Sequence, residues 1–453
     1  QRVTENREAW EELESQEAGF LFLAPEQLAR DDVIERVREL RPTLFVVDEA
    51  HCVSAWGHDF RPDYLRLGHV IEALGHPTTV ALTATAAPPV RDEIVERLRM
   101  RDARQVVRGF DRPNIFLEAH RVADDDDQRA AVVERATAEA KPGLVYVATR
   151  KQAEQLAVEL REAGTRAEAY HAGLSRSERE RVHDAFTDDE AEVVAATSAF
   201  GMGIDKADVR FVLHAAAPES PDSYYQEIGR AGRDGEPALA ALFFRQEDFG
   251  VHRFRTGGSA DTEMLSQVAS RVRRAKQPVP PERLRERLDV GASRLTSAVN
   301  LLEQAGAVET NGDGDLVWRE GTVKPAVDEA ARLADARRRV DRSRVDMMRG
   351  YAETGGCRRR FLLGYFGEEL PGLCGACDTC RSGSAARIEE ARGENEADAA
   401  WPVGLEVRHE AWGEGSVVSE DGDRITVLFD EEGYKTLALE AIERTGVLQP
   451  LTP

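Results

Sequence analysis

Short apolar runs recur along the first 250 residues of this chain, each separated from the next by a polar stretch with helical periodicity. The runs are Phe20–Leu23, Leu44–Val47, Thr79–Leu82, Leu144–Val147, Val193–Ala196 and Phe211–His214. At this length they read as buried strands, and breakers such as Pro25-Glu26 bound them. Strands that alternate with amphipathic helices point to a parallel-sheet α/β architecture. Two such units are expected, joined near Asp111-Arg112-Pro113.

From Asp261 the pattern turns helical. Leu284 and Leu288, then Leu295, Val299 and Leu302, mark two amphipathic helices around a break at Val290-Gly291-Ala292. Strands are expected at Ala307–Glu309 and Leu316–Trp318, around the turn Asn311-Gly312-Asp313-Gly314. Helix-turn-helix plus hairpin is a winged-helix pattern. One long Arg-rich helix should follow over residues 327–351. Ser382 to Ala400, acidic and non-periodic, reads as a linker. Alternating runs at Leu405–His409, Ser416–Ser419, Arg424–Phe429 and Lys435–Leu439 predict a small SH3-like barrel.

No run of eighteen apolar residues occurs and the N-terminus is polar, so a soluble, cytoplasmic protein without membrane contact is expected. A net charge of −23 argues against nucleic acid as a partner. The charge is uneven, however: His252–Arg360 holds 22 Lys+Arg against 16 Asp+Glu. A basic island on an acidic body still permits DNA binding; a solvated Arg-rich helix surface is the alternative.

Asp48-Glu49-Ala50-His51 directly follows the run Leu44–Val47, and ligands of parallel α/β folds sit at strand C-termini. Paired carboxylates there suit ATP hydrolysis: one holds Mg²⁺ through water and its neighbour activates the attacking water. Downstream, Trp56, Phe60 and Tyr64 beside His58 and Arg61 offer stacking faces and cations for single-stranded nucleic acid. Packing of the aromatics in a core is the competing reading. Arg230 and Arg233, three apart, are expected on one helix face, placed to compensate charge in phosphoryl transfer. Cys357 with Cys374-x-x-Cys377-x-x-Cys380 supplies four thiolates, enough for a closed structural Zn²⁺ site. Redox chemistry is the alternative there. Cys52 is the odd thiol and is expected only to pack.

His51-Cys52-Val53-Ser54-Ala55-Trp56-Gly57-His58-Asp59-Phe60-Arg61-Pro62-Asp63-Tyr64 resembles the aromatic-rich loop of RecQ-family DNA helicases. Thr83-Ala84-Thr85, Phe110-Asp111-Arg112-Pro113-Asn114, Tyr170-His171-Ala172-Gly173-Leu174, the stretch Thr197 to Lys206 and Gln226 to Gly235 resemble further motifs of that family, in family order. The context of the four cysteines resembles its zinc hairpin.

This resemblance implies an ATP-dependent 3′–5′ DNA helicase of repair or recombination, associated with the nucleoid and acting on single-stranded and duplex DNA. Asp48, Glu49, His51, Arg230 and Arg233 would be catalytic, with Gly203, Asp205 and Gln226 also contacting nucleotide. Arg150 and Thr197 would join Trp56, His58, Phe60 and Arg61 on DNA. The implied fold is two RecA-like lobes, the first incomplete, in residues 1–110 and 111–250. A winged-helix-like module (251–323), a zinc-binding helical hairpin (324–382), a linker (383–400) and the barrel (401–453) would follow.

The chain departs from the family in four ways. It has no G-x-x-x-x-G-K-[ST] P-loop and no Gly-Lys pair, which suggests an N-terminally truncated fragment. Its winged-helix pattern precedes the cysteines instead of following them. Its barrel, beginning Val403-Gly404-Leu405, resembles the tail of some superfamily 1 helicases, where it serves protein contacts. Ala55 stands where the family usually has Gln. A DEAH-type RNA helicase and a non-catalytic DNA-binding fragment are the alternatives.

Overall fold

The computed structural model describes residues 10, 13, 15, 19–54, 61–201, 204–311, 314–319, 321–392, 401–421 and 424–451. They divide into two compact units, residues 1–106 with 258–338, and residues 107–257 with 339–453.

In the first lobe, strands β1 (Leu44–Val47) and β2 (Thr78–Ala81) pair in parallel, Leu44 opposite Thr78. Helices α1 (Asp31–Glu39), α2 (Leu67–Ala73) and α3 (Pro88–Arg97) accompany them. Val47, Val53, Leu67, Val70, Ile71, Val90 and Ile94 form the core. The expected strand at Phe20–Leu23 is not one. The segment is irregular and its rings face solvent, Phe20 83% and Phe22 92% exposed. An apolar run becomes a strand only where a neighbour takes up its N–H and C=O groups, and no described residue does so.

The second lobe carries six strands: β3 (Ile115–Arg121), β4 (Gly143–Tyr146), β5 (Ala167–Tyr170), β6 (Val193–Ala196), β7 (Phe211–His214) and β8 (Ala238–Phe244). Their order is β3-β8-β7-β4-β6-β5, every pairing parallel. Strands β4, β6, β7 and β8 are buried along their whole length. That explains why three of the four announce themselves as plain apolar runs. Helices α4 (Asp125–Ala138), α5 (Arg150–Glu162), α6 (Arg176–Thr187), α7 (Pro221–Ile228) and α8 (Gln246–Arg255) supply the crossovers and the end of the lobe.

The next module consists of α9 (Thr262–Arg274), α10 (Pro281–Leu288), α11 (Ala292–Gln304) and the antiparallel pair β9 (Val308–Thr310) and β10 (Leu316–Trp318). Helix α12 then runs for 31 residues, Val323–Glu353. Val327, Ala330 and Ala334 near its start enter the module's core, while Val345, Met348 and Tyr351 near its end enter the second lobe's core. Helices α13 (Arg358–Tyr365) and α14 (Asp378–Arg381) carry the cysteines.

Ser384–Arg392, expected to begin a linker, is helix α15. Ala385 is buried, and the Ser384 hydroxyl donates to the Gly355 carbonyl at 2.7 Å. Its Ala-rich composition suits a short packed helix as well as a linker. Residues 393–400 lie outside the described residues.

The C-terminal domain is an antiparallel sheet of five strands in the order β14-β13-β12-β11-β15. They are β11 (Glu406–His409), β12 (Gly413–Asp421), β13 (Arg424–Phe429), β14 (Gly433–Ala438) and β15 (Leu448–Pro450), with α16 (Leu439–Thr445) before the last. Gly433 (φ +71°) docks it: a Cβ there would fall 2.2 Å from Ser343 Oγ and 2.9 Å from Val340 Cα of α12. The Tyr434 N–H donates to Ser343 Oγ at 2.9 Å.

Gly446 (φ +64°) has the same left-handed backbone with nothing within 4 Å of a Cβ. Gly433→Ala should therefore cost about 1–3 kcal/mol more than Gly446→Ala, because only the former adds overpacking to backbone strain. Thermal melts of the two variants measure the difference; equal costs would mean the sheet is not docked through this contact.

Candidate nucleotide, nucleic-acid and zinc sites

β1 ends at Val47 and the chain turns sharply through Glu49 (φ 48°, ψ 45°), whose N–H donates to Asp48 Oδ1 at 2.9 Å. The turn leaves Asp48 exposed and lays Ala50–Val53 down as a buried 3-10 turn. Strand contacts continue past the ladder: Leu82 N–H donates to the Val47 carbonyl and Ala50 N–H to the Leu82 carbonyl, both at 2.8 Å. The segments Asp48–His51 and Thr83–Thr85 are thereby held side by side. His51, 2% exposed, has Nδ1 3.0 Å from Thr83 Oγ1 and 3.3 Å from Glu49 Oε2. The Thr83 hydroxyl lies 3.3 Å from the Thr85 carbonyl. When Thr83 donates there, His51 must present Nδ1–H toward both Thr83 and Glu49. Sequence reasoning placed His51 and Thr83 in separate motifs; 32 residues apart, nothing local connects them.

Tyr64, expected as a stacking face, is a core residue. It is 9% exposed among Val47, Val53 and Leu67, and its hydroxyl donates to the Asp48 carbonyl at 3.3 Å. Burial lifts its phenol to about 12. Its ring is the natural filler beneath the carboxylate turn, so its aromatic character served packing. Trp56, His58 and Phe60 lie outside the described residues. Exposed Arg61 follows them, its N–H donating to the Cys52 carbonyl at 3.0 Å, which ties the two flanks of that segment together. Cys52 is buried, as expected.

In the second lobe the sequence-named residues gather at the carboxyl ends of neighbouring strands. Arg150 begins α5 after β4, and its guanidinium lies within 3 Å of where a Cβ on Gly173 would stand. His171 follows β5, with Nε2 3.0 Å from Glu154 and Nδ1 accepting the Gly173 N–H. Thr197 follows β6 and donates its N–H to the Tyr170 carbonyl at 3.2 Å.

Arg230 and Arg233 do not share a helix face. α7 ends at Ile228 with Gly229 as its C-cap, and both arginines sit in the turn beyond it. Glycine at 229 and the left-handed Gly232 (φ +56°) stop the helix. The turn is held from a distance. The Arg112 guanidinium donates to the carbonyls of Gly229, Ala231 and Gly232 at 3.1, 2.7 and 3.1 Å. Asn114 Nδ2 donates to Gly232 and Glu236 at 2.7 and 2.9 Å. A Cβ at Gly232 would stand 2.4 Å from Asn114 Nδ2. Arg233 donates to the Ile204 carbonyl at 2.9 Å and pairs with Asp205 at 3.1 Å. Arg230 is buried, and its Nε has no hydrogen-bond partner among the described residues. Gln226 is half-buried on α7, and Gly203 lies outside the described residues. Arg112 and Asn114, read from sequence only as a lobe junction, are thus positioning residues for the arginine turn.

The four cysteine sulfurs lie within 4.8 Å of one another, and Cys374 and Cys380 are 3.8 Å apart. Tetrahedral Zn–S bonds of about 2.3 Å imply S···S separations of about 3.8 Å. The thiols are too close to ionise together. Hydrogen bonding with Cys357 pushes Cys374 far up and Cys377 far down, and burial lifts Cys380 to about 11. A divalent cation removes that conflict, so the set fits a structural zinc. The hairpin is stitched to β3: the Leu117 N–H donates to Ala376 and the Ala119 N–H to Asp378 Oδ2. Arg358 pairs with Asp378 at 2.6 Å, and Arg359 donates to the Ile115 carbonyl at 2.6 Å.

Residues 2–94 match the family described as DEAD/DEAH box helicase, 128–235 the helicase conserved C-terminal domain, and 321–381 RecQ zinc-binding. The chain is 33% identical over 383 residues to the probable ATP-dependent DNA helicase RecS of Bacillus subtilis, covering 83% of this chain and 73% of that protein. It is 32% identical over 385 residues to the ATP-dependent DNA helicase RecQ of the same organism, covering 84% of this chain and 52% of that one. With RecQ of Pasteurella multocida the identity is 40% over 249 residues, 55% of this chain and 39% of that one. The chain thus spans about half or less of these two RecQ proteins.

Purified protein should contain about one zinc per chain. Cys374→Ser should give insoluble or protease-sensitive material, since such sites contribute roughly 10–16 kcal/mol of apparent binding energy. Metal analysis finding no zinc in well-folded protein would reject the site.

Proposed function

We propose that this chain, which belongs to the RecQ family of ATP-dependent DNA helicases, works in a DNA-dependent ATPase that moves 3′ to 5′ along single strands and unwinds duplex DNA. The observation that carries the proposal is the carboxylate turn after β1, where Asp48, Glu49, His51 and Thr83 are locked into one hydrogen-bonded corner. With ATP present, Mg²⁺ would supply charge neutralisation on the phosphates, and exposed Asp48 would hold it through water. Glu49 would accept the proton of the attacking water. His51, hydrogen-bonded to Thr83 and buried, would orient Glu49 and link it to the Thr83–Thr85 segment. Arg230 and Arg233 would offset the charge that develops on the transferring phosphoryl group, with Asp205, Gln226 and Gly203 lining the nucleotide. On DNA we assign Trp56, His58, Phe60 and Arg61 of the first lobe and Arg150 and Thr197 of the second. A role in repair or recombination, a cytoplasmic site at the nucleoid, and protein contacts through the C-terminal sheet complete the reading. Among the described residues no helix is long and apolar enough to cross a membrane.

No Gly-Lys pair occurs in residues 1–453, so these residues lack the usual phosphate cradle. Alone they should bind DNA without measurable ATP hydrolysis. Joined to a P-loop-bearing N-terminal segment, they should hydrolyse ATP only with DNA present. Glu49→Gln in that protein should keep nucleotide affinity and lose turnover by roughly 10²–10⁴-fold, because only the proton acceptor is gone. Robust hydrolysis by residues 1–453 alone, or full turnover by the Gln variant, would overturn the assignment.

Trp56→Ala or Phe60→Ala in the P-loop-bearing protein should leave basal hydrolysis and melting temperature nearly unchanged while DNA stimulation collapses. Core aromatics would instead cost about 3–5 kcal/mol on truncation. A large stability loss with stimulation intact would make them packing residues.

A further inference from the structure

Residues 236–320 fall outside all three matched family segments, and they include α9, α10, α11 and the β9–β10 pair. The ends of α9 and α10 carry Arg271, Arg273, Arg274, Lys276, Arg283 and Arg287, all exposed. Arg271 reaches the Arg287 carbonyl at 3.5 Å, which brings the two helix ends together. Arg283 and Arg287 are four apart and so share one exposed side of α10, next to buried Leu284, with Glu282 and Glu286 on the side opposite Leu284. None of the six forms an ion pair among the described residues. Neighbouring arginines of the same module are paired, Arg294 with Asp261 and Arg319 with Glu309.

A chain of net charge −23 has carboxylates in excess, so six clustered cations without one mark a surface kept open for an external polyanion. The kind of polyanion follows from what the surface lacks. Residues 258–317 contain no Phe, Tyr or Trp, and Trp318 of β10 packs against the module's core, so the arginine-bearing helices offer no platform for unpaired bases. Contact with phosphates remains, and duplex DNA presents them most densely, about one charge per 1.7 Å of axis. The module is also anchored to the first lobe, at a residue close in sequence to the proposed strand-binding segment. Glu303 of α11 pairs with Arg66 at 2.8 Å and accepts the Thr310 N–H and hydroxyl, and Arg66 lies six residues after Phe60.

We propose that the arginine-rich ends of α9 and α10 bind the phosphate backbone of duplex DNA, independent of sequence, as a contact separate from the aromatic loop. The proposal rests on reading the chain as a DNA helicase. It gives the module that precedes the zinc hairpin the task of holding the duplex not yet opened.

The test uses residues 1–453 and fluorescence anisotropy with a labelled blunt duplex and with oligo-dT, over roughly 50–200 mM salt. The triple variant Arg274→Gln, Arg283→Gln, Arg287→Gln should lose more than about tenfold in duplex affinity. Its slope of log K against log salt should be shallower by about 2–3, near one per phosphate contact removed. Oligo-dT affinity should change by less than about twofold. A control triple at exposed, ion-paired positions, Arg99→Gln, Arg332→Gln, Arg408→Gln, should keep the parent duplex slope. A triple variant with the parent slope overturns the proposal, as does an equal loss on both DNAs or an equal loss in the control. A parent chain that binds neither DNA sinks the helicase reading as well; a parent that binds both with an unaltered triple variant sinks this inference alone.

Discussion

Asp222 sits in the first turn of α7 with its carboxylate withdrawn from water, where an unpartnered charge would cost several kcal/mol. Tyr365 of α13 donates its hydroxyl to Asp222 Oδ2, and the Arg344 guanidinium of α12 stands 3.9 Å from the same oxygen. Tyr434 of β14 stacks on Tyr365 with ring centroids 4.7 Å apart. Burial drives the Tyr365 phenol far above its ordinary range, so it remains a donor throughout the physiological window. One buried carboxylate therefore joins a helicase-lobe helix, the long helix, the cysteine hairpin and the C-terminal sheet. Removing any partner would leave the others desolvated without compensation, so this contact ties the four elements together.

The consequence falls on the arginine turn. α7 is held along its whole length: Asp222 as above, Tyr224 by a 3.1 Å contact with the Tyr351 hydroxyl, Tyr225 by donation to the Phe110 carbonyl at 2.6 Å. Phe110 in turn stacks on Phe366 at 4.6 Å, and its N–H donates to Glu368. The hairpin that closes around the cysteines therefore splints the helix that leads into Arg230. A metal held by the four cysteines would steady the arginine turn through this chain of contacts.

Much of this was legible in the sequence because the second-lobe strands are buried on both faces and show as bare apolar runs. β6 and β7 are found where expected, and β4 is displaced by one residue. β3, with Glu118 and His120 inside it, carries no such run and goes unseen. The cysteine spacing identified its site because four thiolates have few other uses. What stayed hidden are properties decided by distant partners. Phe20–Leu23 has the composition of a strand and lacks a neighbour to pair with. Tyr64 has the composition of a stacking residue, yet the cavity under the Asp48 turn claims it. Ser384–Arg392 has linker composition and is helical because Gly355 and Arg360 meet it, Arg360 pairing with Glu389 at 2.8 Å.

The arginine turn shows the same limit most sharply. A spacing of three is helical arithmetic, and on a helix the two side chains would share a direction set by local backbone alone. In the turn their directions depend on Arg112, which donates to three carbonyls just beyond the end of α7. Arg112 lies three residues before β3, and β3 is the strand that the cysteine hairpin clasps through Leu117 and Ala119. The direction of Arg230 and Arg233 is therefore inherited from β3, and β3 from the hairpin. A local motif supplies the guanidinium groups, and contacts more than a hundred residues away supply their aim.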